Sequence, residues 1–278
     1  MTVKELNEYL KSMCNVNINS PSFDRVVIGD ENMVVKSVVT MWMPYLQDLK
    51  RAKSIGANVV IAHEPTFYSN LELTKHKQEF ATYLNEGVIE PTEKYLAMIE
   101  KKKQWILENG MAVIRCHDMI DRLKPQGMAA ELGGFLGFSM DKIVRKTEMY
   151  HVYRMEEMRA GDFAKKVAAD LKSLNQPGVA FYGDEDRVIK SVGIGTGCAC
   201  DPLRYAGLRS DLQIVINDVL RTWIQGSYAA DSGDPLIVID HGTSEELGMK
   251  LLGEELVAIF PEIEFNHLTQ GCSYKWIS

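Results

Sequence analysis

The sequence lacks the features of a membrane-spanning, secreted or nucleic-acid-binding protein. No apolar run approaches the roughly 20 residues that cross a bilayer, and residues 1–13 carry charges throughout, where a secretion signal has an apolar core. The 31 Lys and Arg residues are outnumbered by 38 Asp and Glu, giving a net charge of -7. The one basic run, residues 101–103, lies in a helical pattern and is predicted to be a solvated helix face. We therefore expect neither a membrane partner nor a nucleic-acid partner.

Cysteine is scarce and irregularly placed. The five residues are Cys14, Cys116, Cys198, Cys200 and Cys272. An odd number without a repeated pair fits neither a disulfide framework nor a zinc ribbon. We expect reduced thiols and a cytoplasmic location.

The motifs of several common enzyme classes are missing as well. Residues 193–202, GIGTGCACDP, match neither the P-loop nor the dinucleotide fingerprint. They are interpreted as a tight turn after a strand, with backbone contact to a phosphate as the alternative. Residues 242–246, GTSEE, lack the second glycine of a nucleophile elbow. The sequence therefore excludes the best-known signatures of nucleotide binding and serine hydrolysis.

What the sequence has is an alternation of strand-like and helix-like segments. The predicted strands are residues 36–42, 57–62, 111–116, 148–155, 188–197, 211–218 and 235–240. The predicted helices between and after them are residues 44–56, 91–110, 160–174 and 244–260. This order predicts an α/β fold of mainly parallel sheets covered by helices. We predict two interlinked α/β domains, residues 1–144 plus 235–278 and the smaller 145–234.

Three of the predicted strands end in residues that bind metals or carry protons. In chain order these are His63 and Glu64; His117, Asp118 and Asp121; and Asp240, His241 and Glu245. In open parallel sheets, sites lie beyond the carboxyl ends of the strands. The remaining His residues, His76, His151 and His267, have no acidic or thiol neighbour in such a setting and are interpreted as surface or core residues.

These residue types favour a divalent metal site. Imidazole nitrogens and carboxylate oxygens together suit Mn, Fe or Zn. Because a carboxylate can bridge two ions, a site with several carboxylates can hold a pair about 3.5–4 Å apart and activate a water. Thr243 or Ser244 is predicted to cap the last helix, with Glu245 in its first turn and His241 in the preceding loop. Purely structural roles for the same residues are the alternative.

The three motifs, in this order, resemble the Nif-three-like proteins, also described as dinuclear metal-centre hexameric proteins or type 2 GTP cyclohydrolase I. That family has HHP, H-T-x-x-D and GH-x-x-S-E, where this sequence has HEP at 63–65, HDMID at 117–121 and DHGTSE at 240–245. The resemblance spans nearly the whole chain. It implies a Nif-three-like fold of two interlinked α/β domains and a toroidal homo-hexamer.

The resemblance also implies the roles of individual residues. The metal ligands would be His63, Asp121, His241 and Glu245, with Glu64 in the place of the family's second His. His117 would lie near the metals as a proton carrier. Two divalent ions, Zn, Mn or Fe, are implied, and the oxygen that Glu64 adds also makes Mg possible.

Two functions remain open at this stage. The first is a metal-dependent hydrolase that acts on a nucleotide or a phosphate-containing small molecule through a metal-activated water, like GTP cyclohydrolase by resemblance only. The second is a non-catalytic, metal-binding oligomer that serves as a scaffold or a regulator.

Overall fold

A computed structural model describes most of the chain. The described residues are 1–13, 23–68, 92–121, 123, 127–147, 149–197, 206–218 and 220–277. Their packing forms two compact units, Met1–Ile120 with Leu252–Leu268, and Asp121–Leu251 with Thr269–Ser278. Within the described ranges, no helix has both the length and the apolar character that a membrane span requires.

Strands and helices alternate in the order expected of an α/β protein. The strands are β1 (Arg25–Ile28), β2 (Ser37–Met41), β3 (Val59–Ala62), β4 (Ala112–Arg115), β5 (Ile143–Lys146), β6 (Tyr150–Arg159), β7 (Ala180–Tyr182), β8 (Val188–Gly195), β9 (Leu212–Ile216), β10 (Leu236–Ile239) and β11 (Glu264–His267). The helices are α1 (Val3–Met13), α2 (Leu46–Ser54), α3 (Glu93–Glu108), α4 (Asp118–Asp121), α5 (Met128–Phe135), α6 (Ala160–Leu171), α7 (Gly226–Ser232) and α8 (His241–Ile259).

The first unit contains a five-stranded sheet in the order β1-β4-β3-β2-β11. Strands β4, β3, β2 and β11 are parallel, and β1 joins β4 in the antiparallel direction. Every residue of β2, β3 and β4 is buried, as expected of parallel strands covered on both faces. Ala62 pairs with Arg115 at the carboxyl ends of β3 and β4, so the residues that follow these strands emerge side by side.

The second unit contains a six-stranded mixed sheet in the order β5-β6-β8-β9-β10-β7. Its centre, β8, β9 and β10, is parallel, whereas β5, β6 and β7 pair in the antiparallel direction. Aromatic and branched side chains such as Tyr153, Phe163 and Ile214 form its core. The carboxyl ends of the three parallel strands place Thr196, Asn217 and Asp240 along one edge of this sheet.

The predicted fold class is confirmed, since two sheets with a majority of parallel pairings carry helices between their strands. The compact units divide the chain at other positions than the predicted domain ranges, 1–144 plus 235–278 and 145–234. The apolar strand β10 is paired with β9, which keeps it in the second unit. The predicted ranges concern parts of the chain that fold independently, and the compactness of the two units does not test that property. The domain ranges therefore stay a prediction.

The basic run at residues 101–103 departs from its predicted solvated face. Lys102 is only 1% exposed, because it shares the buried face of α3 with Ile99 and Ile106, three and four residues away. Its ammonium donates a hydrogen bond to the carbonyl oxygen of Thr66 and lies 5.0 Å from the ring centroid of Tyr68. The prediction was wrong for Lys102.

Two of the five cysteines lie in the described part of the chain. Neither Cys116 nor Cys272 forms a disulfide within the described residues. Cys14, Cys198 and Cys200 lie outside the described residues, as does His76. The cytoplasmic location stays a prediction.

Candidate metal centre

The end of β3 holds His63 and Glu64 in fixed positions. The backbone N–H groups of both residues donate to the carbonyl oxygen of Trp42, at 3.1 and 2.9 Å. The ring of His63 is fully buried, with Nδ1 3.3 Å from the carbonyl oxygen of Cys116. Glu64 is also buried, and its Oε2 lies 3.4 Å from a guanidinium nitrogen of Arg115. The HEP segment is thus held by its backbone, which leaves its side chains well oriented.

The end of β4 brings His117 against His63. The two imidazole rings are stacked, with centroids 4.4 Å apart and planes at 11°. The backbone N–H groups of His117 and Met119 donate to the carboxylate of Asp24, which thereby anchors the start of α4. Nδ1 of His117 lies 3.0 Å from Oδ1 of Asp118, a contact that orients the ring.

A ring nitrogen of His63 lies within 4.8 Å of a ligand atom on Glu64 and of one on His117. Asp121 follows His117 by four residues, at the end of the same helical turn. Asp121 is buried as well. Imidazole nitrogens and carboxylate oxygens grouped in this way are a donor set that fits a divalent ion such as Zn, Mn or Fe.

The second unit contains a His–carboxylate pair on α8. Nε2 of His241 lies 3.0 Å from Oε2 of Glu245, and the Glu245 side chain is buried. The helix begins at His241, because Asp240 caps it: Oδ2 of Asp240 accepts the backbone N–H of Thr243 at 3.1 Å. The predicted cap at Thr243 or Ser244 was therefore wrong, and His241 lies in the first helical turn, not in the preceding loop.

Gly197 allows the carboxylate of Glu245 to lie against the backbone after β8. Its φ of +56° is a conformation that side-chain-bearing residues rarely adopt. A Cβ atom built on Gly197 would lie 2.7 Å from Oε1 of Glu245. The glycine-rich residues 193–197 thus end in a close approach that positions Glu245.

Replacing Gly197 by alanine is therefore expected to displace the Glu245 carboxylate. We expect about 1 kcal/mol or more of lost stability from the strained backbone, and about tenfold weaker divalent-metal binding from the moved ligand. Isothermal titration with Mn²⁺ measures the second effect. Gly207→Ala is the matched control, because a Cβ there meets no neighbouring atom; equal effects of the two substitutions would contradict the assignment.

A cavity of about 550 Å³ lies in the second unit, beside the C-terminal segment. Its lining includes Lys172, Gln270, Cys272, Tyr274, Lys275 and Trp276. The rings of Tyr274 and Trp276 are 5.7 Å apart, and burial raises the pKa of the Tyr274 phenol and of the Cys272 thiol. Both oxygens of Asp240 accept hydrogen bonds from Ser273, at 2.6 and 3.0 Å, which ties this wall to the start of α8.

Two of the three histidines predicted to be surface or core residues, His151 and His267, lie in the described chain and have structural partners. Nδ1 of His151 lies 3.2 Å from the hydroxyl of buried Tyr153, and burial lowers the pKa of His151. Nδ1 of His267 lies 3.1 Å from the hydroxyl of Thr40 on the neighbouring strand.

Asp24 and Arg115 are the residues that sequence reasoning missed. Asp24 directly precedes β1, and Arg115 directly precedes the segment that holds His117 and Asp118. These positions are the only signals in the sequence that could have identified the two residues.

The fold and these groups define an α/β protein whose described residues include His, Asp and Glu groups that could bind a metal ion. Residues 1–271 match the Duf34/NIF3 (NGG1p interacting factor 3) family, and the chain belongs to that family. No curated protein matches the chain.

Solved structures with the same fold are distant in sequence. Hypothetical protein SA1388 of Staphylococcus aureus is 19% identical, with a TM-score of 0.75 over 100% of this chain and 99% of that chain. The Bacillus cereus protein related to NIF3 is 14% identical, with a TM-score of 0.73 over the same shares. Reduced HcgD from Methanocaldococcus jannaschii is 15% identical, with a TM-score of 0.66 over 96% of this chain and 98% of that chain. At these identities, the likeness shows the fold.

Proposed function

We propose that the protein is a divalent-metal-dependent hydrolase that acts on a nucleotide or another phosphate-containing small molecule. His63, Glu64, Asp121, His241 and Glu245 are proposed to supply the ligands of two divalent ions, Zn, Mn or Fe, with Mg as a further candidate. The observation that carries the proposal is the buried cluster around His63, which lies within 4.8 Å of ligand atoms of both Glu64 and His117. Burying ionisable side chains is costly unless opposite charges, hydrogen bonds or a metal ion compensate them.

The residues around the ions have separate tasks in this proposal. A divalent ion lowers the pKa of a water molecule that it holds towards 7. His117 is proposed to carry the proton that this water loses. The side chain of His117 is 24% exposed, whereas that of His63 is fully buried. Oδ1 of Asp118 lies 3.0 Å from the ring of His117 and orients it. Trp42 and Cys116 hold the backbone and ring of His63 through their carbonyl oxygens. These contacts keep the ligands in place before a substrate binds.

The cavity in the second unit supports the proposed substrate class. Its volume of about 550 Å³ lies in the range of small-molecule sites. The ammonium groups of Lys172 and Lys275 offer charge for a phosphate, and the rings of Tyr274 and Trp276 offer surfaces for a flat base. A reaction like that of GTP cyclohydrolase, and assembly as a homo-hexamer, belong to the same proposal through the family resemblance.

Elemental analysis of the purified protein beside a His241→Ala variant tests the metal. We expect about two divalent ions per chain in the wild-type protein, and fewer in the variant, since His241 forms the 3.0 Å pair with Glu245. A wild-type protein without metal after incubation with Mn²⁺, Fe²⁺ and Zn²⁺ would contradict the proposal. The mass of the assembly is measured on the same samples.

Turnover of a panel of nucleotides and phosphate esters by the metal-loaded protein tests the reaction, with an Asp121→Ala variant as the control. We expect turnover that follows metal content and is lost in the variant. Metal binding and assembly without turnover of any substrate would instead support the non-catalytic scaffold.

A further inference from the structure

Arg115, the last residue of β4, is a buried cation beside the HEP segment. Its side chain is 0% exposed, which makes it one of the largest fully buried side chains in the described chain. A guanidinium group stays protonated in proteins, and burying it is costly unless opposite charge and hydrogen-bond acceptors surround it. The groups that contact Arg115 must therefore compensate its buried charge.

Those groups include two of the predicted metal ligands, His63 and Glu64. Nε of Arg115 donates to the carbonyl oxygen of His63 at 3.1 Å. A terminal nitrogen of the same guanidinium lies 3.4 Å from Oε2 of Glu64, forming a buried ion pair. The ring of Phe23 covers the guanidinium at 4.8 Å, a cation–π contact that further shields it. One side chain thus touches both residues of the HEP motif.

The pairing of β3 with β4 makes this contact possible. Ala62 and Arg115 lie opposite each other in the register, so the residue after Ala62 comes within reach of the guanidinium. A planar guanidinium offers several donors in a fixed fork, which lets it bind a backbone carbonyl and a carboxylate at once. A lysine at this position would carry the charge without that fixed geometry.

The charge of the pair matters for the metal. Glu64 stands where the resembling family has a second His, so this chain places a carboxylate where an uncharged imidazole is expected. The positive charge of Arg115 offsets that negative charge, so the Arg115–Glu64 pair has no net charge, like an uncharged imidazole. An uncompensated carboxylate would attract a divalent ion more strongly, and an uncompensated guanidinium would repel it.

We propose that Arg115 is a positioning residue that acts through Glu64 and lowers the divalent-metal affinity of the site by offsetting the charge of Glu64. The inference rests on the proposed metal site and concerns affinity, not turnover. It predicts that Arg115 and Glu64 are energetically coupled in metal binding. A guanidinium that only fills the core would show no such coupling.

A double-mutant cycle in metal affinity tests the proposal, using isothermal titration of the metal-free full-length protein with Mn²⁺. Arg115→Met removes the charge at similar volume, and we expect at least about tenfold tighter binding. Glu64→Gln removes the negative charge that pairs with the guanidinium, and we expect at least about tenfold weaker binding than in the Glu64→Gln/Arg115→Met double variant. Arg115→Lys keeps the charge but not the fixed fork, so we expect it to bind Mn²⁺ no tighter than the wild-type protein.

The comparison of Glu64→Gln with the double variant keeps the test decisive if Arg115→Met fails to fold, because the double variant removes both charges of the ion pair. Equal Mn²⁺ affinities of Glu64→Gln and the double variant would overturn the proposal. So would Arg115→Met binding no tighter than wild type while its circular dichroism is unchanged. A wild-type protein that takes up no metal would overturn the proposed function, which is a distinct result.

Discussion

Replacing His63 by alanine is expected to weaken divalent-metal binding at least about a hundredfold, since even residues that only support a metal ligand contribute factors of 10–100. His63 is the residue around which the described donors gather: its ring is fully buried and lies within 4.8 Å of ligand atoms of Glu64 and of His117. The carbonyl oxygens of Trp42 and Cys116 hold its backbone and ring in position.

Isothermal titration of metal-free protein with Mn²⁺ and with Zn²⁺ measures this effect. His267→Ala is the matched control, since His267 lies in the same sheet, at the end of β11, with Thr40 as its partner. We expect the control to bind both ions as tightly as the wild-type protein. If His63→Ala kept wild-type affinity for both ions, the described cluster would not be the metal site.

Replacing Asp240 by alanine is expected to lower the free energy of unfolding by about 3 kcal/mol, because several charge-assisted hydrogen bonds are lost together. Asp240 is fully buried. Its carboxylate accepts hydrogen bonds from the backbone of Thr243 at 3.1 Å and from the backbone and hydroxyl of Ser273 at 3.0 and 2.6 Å. Alanine would leave these donors without an acceptor and would remove the cap of α8.

Urea unfolding in the presence of a chelator measures the loss without any contribution from bound metal. Asp240→Asn is expected to lose less, because its amide oxygen still accepts one of the hydrogen bonds. Asp231→Ala, on the exposed surface of the same unit, is expected to change stability by no more than about 0.5 kcal/mol. A loss in Asp240→Ala as small as in that control would show that the cap and the C-terminal segment do not depend on this carboxylate.

The strands that carry the candidate ligands were predictable because they are buried on both faces. A buried parallel strand is a short continuous apolar run, so residues 59–62 and 112–115 were recognisable from composition and from the glycines and prolines around them. The edge strands β1 and β11 were not predicted. Their side chains are only partly buried, and such short segments carry no periodic signal above that of a loop.

The helix that follows β10 shows the limit of local rules. Thr243, Ser244 and Asp240 are all good capping residues, and the sequence alone does not choose among them. The structure selects Asp240 because the same carboxylate also binds Ser273, a residue far along the chain. Lys102 is a similar case, since the carbonyl oxygen of Thr66 that binds its ammonium comes from another element.

The sequence by itself determined the order of strands and helices, the residue types at three strand ends and the resemblance that led to the family. These properties depend on residues within a few positions of one another, where periodicity and capping act. Only the tertiary structure decided that His117 stacks on His63, that Gly197 meets Glu245 and that Arg115 pairs with Glu64. Each of those contacts joins residues on different elements, and the register and packing that bring them together leave no local trace in the chain.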